Sequence, residues 1–235
     1  MHKKIEEIKK HEGSPKIIKN VFSTQEIEKF MRLYKELPTT VHNKKQNVIK
    51  KRWLIEYGKD LERLFYEKLK NEIGEFKYDN LKSENGENIL GLFQESYNPI
   101  GLHIDGGFNL NDLIYKQSLI PLTPVGSTII FKNRFYGQST NFTIDKNELE
   151  KKDLKYGQNN RSSDHIGMFG NKPFDKELHK KFINHEKIEN LIGLEVELIY
   201  EWEVGSMLIF DRTNIHCSSS VIDGKKIGLT TFTKK

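Results

Sequence analysis

Six short apolar runs after residue 87 constrain the fold of this chain more than any other feature. The runs are NILGLFQ (88–94), KQSLIPL (116–122), GSTIIF (126–131), LEVELIYEW (194–202), SMLIF (206–210) and KIGLTTF (226–232). They are rich in β-branched and aromatic residues, and Gly or Pro bounds several of them, which is typical of strands. The sequence therefore predicts an all-β core in this part of the chain.

Two helices are predicted in the N-terminal third of the chain. The first begins after Ser23, whose side chain caps the helix while Glu26 returns the bond, and it ends at Pro38. The second ends at Gly74, because glycine suits the backbone that follows a helix. Its apolar face is formed by residues at helical spacing, namely Leu61, Leu64, Phe65, Leu69 and Ile73.

The length of 235 residues and the hydrophobic content of 36% fit one domain with one sizeable core. We expect helical support over about 1–85, with a short strand near Trp53, and a core over about 86–235. Residues 132–190 are polar and only patchily periodic, and this stretch is too long for an ordinary connection. It is predicted to be an insertion or lid with a helix around 176–182.

The formal net charge of +5 and the pI of about 9.0 raise the question of a nucleic-acid partner. Only six of the 38 basic residues are arginine, the residue most used for bidentate contacts to phosphate and bases. Nucleic acid is therefore an unlikely partner.

Cysteine content and hydropathy limit where the chain works. The lone Cys217 excludes an intrachain disulfide and a thiolate-rich zinc site. No apolar run approaches the roughly 20 residues needed to cross a bilayer, and the first ten residues lack a signal-peptide core. The sequence predicts a cytoplasmic protein without a membrane span.

The motif GLHIDGG places His103 and Asp105 two positions apart, where an extended strand points both side chains to the same face. His216, which follows the apolar strand 207–210 and is expected at a strand end, is the best candidate for a third ligand. Two histidines and one carboxylate on one side of a metal form the facial arrangement of non-haem iron oxygenases. The alternative for His216 is a hydrogen-bonded core histidine. His165, in the polar stretch, is predicted to be a surface or lid residue.

Lys225 and Lys226 begin the last predicted strand. A cation inside a β-barrel needs an anionic partner to offset its desolvation. A dicarboxylate that chelates iron by its keto-acid end would present its far carboxylate to such a group. Strand alternation allows only one of the two lysines to point inward.

The order of these motifs resembles that of a known superfamily. After H-x-D come the strand from Gly126 to Phe131, the motif G-x-x-x-x-F from Gly205 to Phe210, and a distal histidine followed by a basic residue. The ordered set, over about residues 89–232, resembles the 2-oxoglutarate and iron(II)-dependent dioxygenases, most closely their prolyl-4-hydroxylase-like branch. The resemblance implies a mainly β fold with α-helices, in which N-terminal helices support a double-stranded β-helix (jelly-roll) core.

The resemblance also implies roles for single residues. Lys226 would bind the distal carboxylate of 2-oxoglutarate, and it is preferred over Lys225 because it keeps the family's offset to the following strand. Tyr97, Gln94 and Thr128 occupy positions implied to contact the co-substrate. The implied iron ligands are His103, Asp105 and His216.

The implied reaction uses Fe(II), 2-oxoglutarate and O2, with ascorbate as a candidate further cofactor. It hydroxylates a C–H bond of a small molecule, amino acid or peptidyl side chain, or demethylates through hydroxylation, and releases succinate and CO2. Arg212 either binds an acid group of the substrate or co-substrate or pairs with Asp211 or another surface carboxylate. Two alternatives to a hydroxylase remain, a non-catalytic jelly-roll module that binds metal or ligand and a nucleic-acid demethylase of the same superfamily.

Overall fold

The computed structural model describes residues 2–44, 47–79, 81–83, 85–107, 112–143, 158–160, 172–220 and 222–235. The helices in these ranges are α1 (His2–Lys9), α2 (Thr24–Glu36), α3 (Lys59–Ile73), α4 (Lys176–Phe182) and a 3₁₀ helix (Ile188–Leu191). The strands are β1 (Lys16–Ile18), β2 (Val41–Asn43), β3 (Val48–Leu54), β4 (Lys77–Tyr78), β5 (Ile89–Ser96), β6 (His103–Ile104), β7 (Ile114–Pro121), β8 (Ser127–Arg134), β9 (Thr140–Thr143), β10 (Gln158–Asn160), β11 (Val196–Glu201), β12 (Met207–Asp211), β13 (Asn214–Ser218) and β14 (Lys226–Lys234).

The core strands alternate between two sheets from β5 to β8 and again from β11 to β14. Strands β5, β7, β12 and β14 lie in the first sheet, and β6, β8, β11 and β13 lie in the second. In the described ranges the first sheet has the order β1-β12-β7-β14-β5-β3-β2, with β4 beside β14, and the second has the order β10-β9-β6-β13-β8-β11. This alternation of mainly antiparallel strands is a jelly roll, so the predicted fold class is confirmed.

Helices α2 and α3 pack against the outer face of the first sheet. The capping box predicted for α2 is present, since Ser23 accepts a bond from the backbone of Glu26 and the Glu26 carboxylate accepts one from the Ser23 N–H. The buried ring of Trp53 on β3 contacts Phe30 of α2 and Phe65 of α3 edge-on, with centroids 5.8 and 6.1 Å apart. Such aromatic packing holds the helices on the sheet and makes it a firm support for the residues on its inner face.

The space between the two sheets holds a second apolar cluster. Both sheets contribute to it, and its buried members are Leu119, Ile130, Tyr200, Leu208 and Phe210. Polar side chains that share this interior must find hydrogen-bond partners, because burial without a partner is costly. A polar atom on the inner face that has no hydrogen-bond partner therefore indicates a site for a ligand.

The N-terminal segment adds elements that the sequence pattern did not predict. Helix α1 precedes β1, a three-residue strand that pairs antiparallel with β12, so that Ile17 faces Leu208. The N–H of Gly13 donates to the Asp211 carboxylate over 2.9 Å, and Arg134 pairs with the same carboxylate over 2.7 Å. So short a strand shows no alternation in the sequence, and its position depends on these distant partners.

The predicted insertion over 132–190 falls partly outside the described residues, which exclude 144–157 and 161–171 and with them His165. The helix expected around 176–182 is α4, confirmed with Asp175 as its N-cap. The single-domain organisation stays a prediction. Among the described residues, no helix combines the length and apolar character that a membrane crossing requires.

Candidate metal centre and co-substrate pocket

The three predicted metal ligands lie together on two paired strands. His103 on β6 stands directly opposite His216 on β13, with their ring centroids 4.1 Å apart. The carboxylate of Asp105 follows β6, with Oδ2 3.8 Å from Nε2 of His103 and 3.2 Å from Nε2 of His216. His216 was expected at a strand end, but it lies within β13, where the pairing with β6 holds it. One potential ligand atom from each residue falls within 4.8 Å of the other two.

Backbone carbonyls orient both imidazoles. Nδ1 of His103 lies 2.8 Å from the carbonyl oxygen of Gly101, and Nδ1 of His216 lies 3.0 Å from that of Asn214. Each Nδ1 therefore carries the proton and donates it, which leaves the lone pair of each Nε2 directed at Asp105 and at the space between the ligands. This is the second-shell arrangement found around metal-binding histidines.

The pKa shifts of His103 and Asp105 match those expected at a metal site. Burial lowers the pKa of His103 to about 4, and repulsion from His216 adds to the effect. Burial alone would raise the pKa of Asp105, but its contacts with His216 and His103 and the hydrogen bond from Gln117 outweigh burial and hold the pKa below the usual range. A neutral imidazole and an ionised carboxylate are the forms that bind a cation.

Gln117 on β7 is a site residue that the sequence pattern did not single out. Its Nε2 donates to Oδ2 of Asp105 over 2.9 Å, and it pairs in register with Phe210 on β12 and Phe232 on β14. Its Oε1 is buried without a hydrogen-bond partner in the described part of the chain. The only available signal was a polar residue inside a predicted strand, and its neighbours Lys116 and Ser118 are polar as well.

We expect Gln117→Leu to lower the affinity for Ni(II) by on the order of tenfold, because the carboxylate of Asp105 loses the donor that orients it. Isothermal titration of the full chain with Ni(II) measures this change. The control is Ser118→Ala, since the Ser118 hydroxyl bonds to Thr231 on the opposite face of the same strand. Equal affinities of Gln117→Leu and the wild-type protein would contradict a role in orienting the ligand.

Glu186 supports the loop that leads into His103. Its Oε1 accepts a bond from the Leu102 N–H over 2.8 Å, and its Oε2 accepts one from Nδ2 of Asn190 over 2.9 Å. A Cβ at Gly101 would lie only 2.5 Å from the Glu186 carboxylate, so the close approach requires glycine there. Burial raises the pKa of Glu186. The sequence did not predict this contact, because the two residues lie 84 positions apart.

The side chain of Arg212 supports the metal centre by holding the backbone of Asp105. The side chain is only 2% exposed, and Nε donates to the backbone oxygen of Asp105 over 2.9 Å. The other two nitrogens bond to the Thr233 carbonyl oxygen and to the Asp79 carboxylate, over 3.1 and 2.6 Å. The structure thus favours the ion-pair alternative over the substrate-binding one, although the partner is Asp79 and not Asp211.

Lys226 lies buried on the inner face, beside polar groups of β8 and the ring of Trp202. Its ammonium donates to the Ser127 carbonyl oxygen over 2.8 Å and stands 4.2 Å from the ring centre of Trp202. Nε1 of Trp202 donates to Oγ1 of Thr128 over 2.9 Å. A Cβ at Gly228 would come within 2.7 Å of the Trp202 ring, so glycine makes room for the indole. Burial lowers the pKa of Lys226 to about 7, and no carboxylate among the described residues pairs with it.

The residues on the first sheet that were predicted to contact the co-substrate lie on two different faces of that sheet. Lys225 pairs with the Glu95 carboxylate over 3.1 Å. Glu95 also accepts bonds from the hydroxyls of Tyr34 and Tyr97, on the side covered by α2. The expectation that Tyr97 or Lys225 contacts a co-substrate is therefore not supported. Gln94 precedes Glu95 on β5, and adjacent residues of a strand point to opposite faces. Gln94 therefore lies on the inner face, opposite Gly228.

Comparison of the fold with solved structures identifies similar proteins. HygX from Streptomyces hygroscopicus, solved with nickel, 2-oxoglutarate and hygromycin B, is 14% identical with a TM-score of 0.51, over 100% of this chain and 86% of that one. A 2OG-Fe(II) oxygenase family oxidoreductase from Burkholderia pseudomallei is 9% identical with a TM-score of 0.50, over 94% and 84%. The carbocyclase SnoK of nogalamycin biosynthesis is 12% identical with a TM-score of 0.50, over 97% and 82%. At such low identity, the structural similarity shows a shared fold and no more. Neither a protein-family model nor a curated protein sequence matches the chain.

Proposed function

We propose that this chain is an iron(II)- and 2-oxoglutarate-dependent oxygenase that hydroxylates a C–H bond of a small molecule, amino acid or peptidyl side chain. The observation that carries the proposal is the pairing of two features on the inner face. One is the His103, Asp105 and His216 cluster, and the other is the buried ammonium of Lys226, which has no carboxylate partner in the described ranges.

The donor set fits iron(II). Two imidazole nitrogens and one carboxylate oxygen come from one side, and the second shell of backbone carbonyls and Gln117 holds them in place. The unpartnered Oε1 of Gln117 is a further sign that a donor group, such as a metal-bound water, belongs in this space.

The pocket around Lys226 fits the far carboxylate of 2-oxoglutarate. In the register of β8 and β13, Ile130 faces His216 and Thr128 faces Ser218, so Thr128 lies two residues along β8 from the metal centre. Two residues of a strand span about 7 Å, which suits a dicarboxylate of this length. A buried ammonium that lacks an anion is stabilised when one binds.

Bound iron and 2-oxoglutarate would supply the activation of O2, coupled to oxidation of 2-oxoglutarate to succinate and CO2. The residues of this chain orient the two groups and exclude water. Phe210 packs edge-on against His216 with centroids 4.9 Å apart, and it limits access of water to that ligand. Asp105 occupies the position that halogenating relatives leave open for halide, which supports hydroxylation.

The test is the visible absorption of the anaerobic full chain on addition of Fe(II) and then 2-oxoglutarate. We expect a weak charge-transfer band that requires both additions and that is absent in His216→Ala. His42→Ala is the matched control, because His42 is exposed on the edge strand β2, and it should retain the band.

Two further results would separate the alternatives. Iron binding without a response to 2-oxoglutarate would contradict the oxygenase proposal and support a non-catalytic binding protein. When O2 is admitted, release of succinate at a rate that depends on Lys226 would support catalysis. The prolyl-4-hydroxylase-like branch remains a prediction from the order of the motifs.

A further inference from the structure

A short N-terminal segment, residues 11–13, links two parts of the chain that are distant in sequence. The Glu12 carboxylate accepts one hydrogen bond from the Thr213 hydroxyl over 3.0 Å and another from the Tyr136 hydroxyl over 3.1 Å. Thr213 lies in the turn between β12 and β13, and Tyr136 lies in the loop after β8. Residues 11–13, the N-terminal clasp, therefore hold this turn and this loop together.

The charges around the N-terminal clasp are balanced. The Asp211 carboxylate, only 4% exposed, accepts a hydrogen bond from the Gly13 N–H over 2.9 Å. Arg134 and Lys116 both pair with the same carboxylate. Arg134 also donates to the Gly13 carbonyl oxygen over 3.0 Å and lies 3.6 Å from the Glu12 carboxylate. Two carboxylates thus face two cations, and this pairing favours a structural role over a site for an outside ion.

The turn that the N-terminal clasp holds is connected to the metal centre by Arg212. Arg212 lies between Asp211 and Thr213, the two turn residues to which the clasp bonds. Its Nε donates to the backbone oxygen of Asp105 over 2.9 Å. A shift of the turn would therefore move the donor that holds the backbone of Asp105.

The loop that the N-terminal clasp holds packs against the residues that follow Asp105. The Gly107 N–H donates to the Ser139 hydroxyl, and the Ser139 N–H donates to the Gly107 carbonyl oxygen, each over 2.9 Å. The carbonyl oxygen of Gly137 leaves no room for a Cβ at Gly106. Both parts of the chain that the clasp joins thus contact the backbone at or next to Asp105.

We propose that Glu12 is a positioning residue of the metal centre, which fixes the backbone at Asp105 by joining the 211–213 turn to the 136–139 loop. This inference rests on the metal centre of the proposed function and goes beyond it, because it couples metal affinity to the N-terminal segment. Hydrogen-bonded segments of this kind open and close without global unfolding. A metal that binds the closed state better shifts the equilibrium toward it, so metal binding and closure of the clasp favour each other by the same factor.

Amide hydrogen exchange of the metal-free full chain, followed by NMR, is the first test. The Glu12→Ala variant loses both side-chain bonds of the clasp, so exchange of the paired Gly107 and Ser139 amides should become about fivefold faster. Thr213→Val should have the same effect, because valine keeps the shape and lacks the hydroxyl. Thr213→Ser keeps the hydroxyl and should restore the wild-type rate.

Glu6→Ala is the matched control, because Glu6 is an exposed acid of α1 that pairs with Lys9 over 3.1 Å. It should leave exchange at Gly107 unchanged. The Leu122 N–H, which donates to the Ile227 carbonyl oxygen, reports on the stability of the first sheet. Exchange in Glu12→Ala that is unchanged at Gly107, or that rises equally at Leu122, would overturn the proposal.

Isothermal titration with Ni(II) is the second test. The affinity should fall about fivefold in Glu12→Ala and in Thr213→Val, and it should stay within about twofold of wild type in Thr213→Ser. By reciprocity, Ni(II) should slow exchange of the Gly13 N–H in the wild-type protein. Faster exchange at Gly107 with an unchanged affinity for Ni(II) would overturn the coupling to the metal. Failure of the wild-type protein to bind Ni(II) would instead reject the proposed function, and the exchange rates of the metal-free protein would then decide the role of the clasp by themselves.

Discussion

Arg212→Met is expected to lower the free energy of unfolding by about 3–5 kcal/mol, because removal of one partner leaves a buried ion pair uncompensated. The Asp79 side chain is 8% exposed and would lose its 2.6 Å contact with the guanidinium. The backbone oxygens of Asp105 and Thr233 would each lose a donor as well. A single truncation thus affects three acceptors that the fold has removed from water.

Urea unfolding of the metal-free protein measures this change. The double variant Arg212→Met with Asp79→Leu should recover part of the loss, since the buried carboxylate that faced the guanidinium is then absent. Arg63→Met, on the solvent-accessible side of α3, is the control and should change the unfolding free energy by less than about 0.5 kcal/mol. A loss under about 1 kcal/mol for Arg212→Met would show that the guanidinium is not a structural brace, and it would reopen the substrate-binding alternative.

Lys226→Met is expected to weaken 2-oxoglutarate binding by on the order of 100-fold, since the variant loses a buried, charge-assisted contact. The same change should not destabilise the metal-free protein, because a buried ammonium without a carboxylate is itself costly. Titration of the Fe(II) absorption band with 2-oxoglutarate gives the affinity, and urea unfolding gives the stability. A drop in stability with unchanged affinity would show that Lys226 is a structural residue.

The pH dependence of 2-oxoglutarate binding provides a second test of the role of Lys226. Burial lowers the pKa of Lys226 from the ordinary 10.5 to about 7, so the free pocket loses its charge as the pH rises through 7. We therefore expect 2-oxoglutarate affinity to fall above pH 7 in wild type and to fall less in Lys226→Arg, because arginine stays charged.

Stability should change in the opposite direction over this range. Between pH 7 and 10.5 the unfolded chain holds a proton on Lys226 that the folded chain lacks, so the metal-free protein gains stability as the pH rises. The Lys226→Met variant should lack this gain. Identical pH profiles for the unfolding of the two proteins would contradict a buried, deprotonatable lysine.

Local chemistry in the sequence accounts for much of the fold. The capping box of Ser23 and Glu26 predicts the start of α2 at Thr24, because both partners lie within one turn. The six apolar runs predict β5, β7, β8, β11, β12 and β14, because β-branched and aromatic residues between Gly and Pro favour strands without help from distant residues. Strands β1, β4, β6 and β13 are short or polar, and they form because longer partners are already in place.

The spacing of His103 and Asp105 is also a local property, since alternation along an extended chain directs both side chains to one face. The arrival of His216 opposite His103 depends on the pairing of β6 with β13, which joins residues 113 positions apart in the numbering. Sequence order and the resemblance predicted that His216 joins His103 as a ligand, and the strand register accounts for this physically.

Only the tertiary structure decided which face of each strand is the interior. Alternation separates Lys226 from Lys225 and Gln94 from Tyr97, but the packing of α2 on the first sheet determines which member of each pair faces inward. The same packing places Arg212 where its side chain donates a hydrogen bond to the backbone oxygen of Asp105. It also brings Gln117 to the metal centre. Sequence by itself determined which residues form the longer core strands and which residues of a strand share a face. The burial of one face and the exposure of the other are set by contacts between distant segments, and no local pattern encodes them.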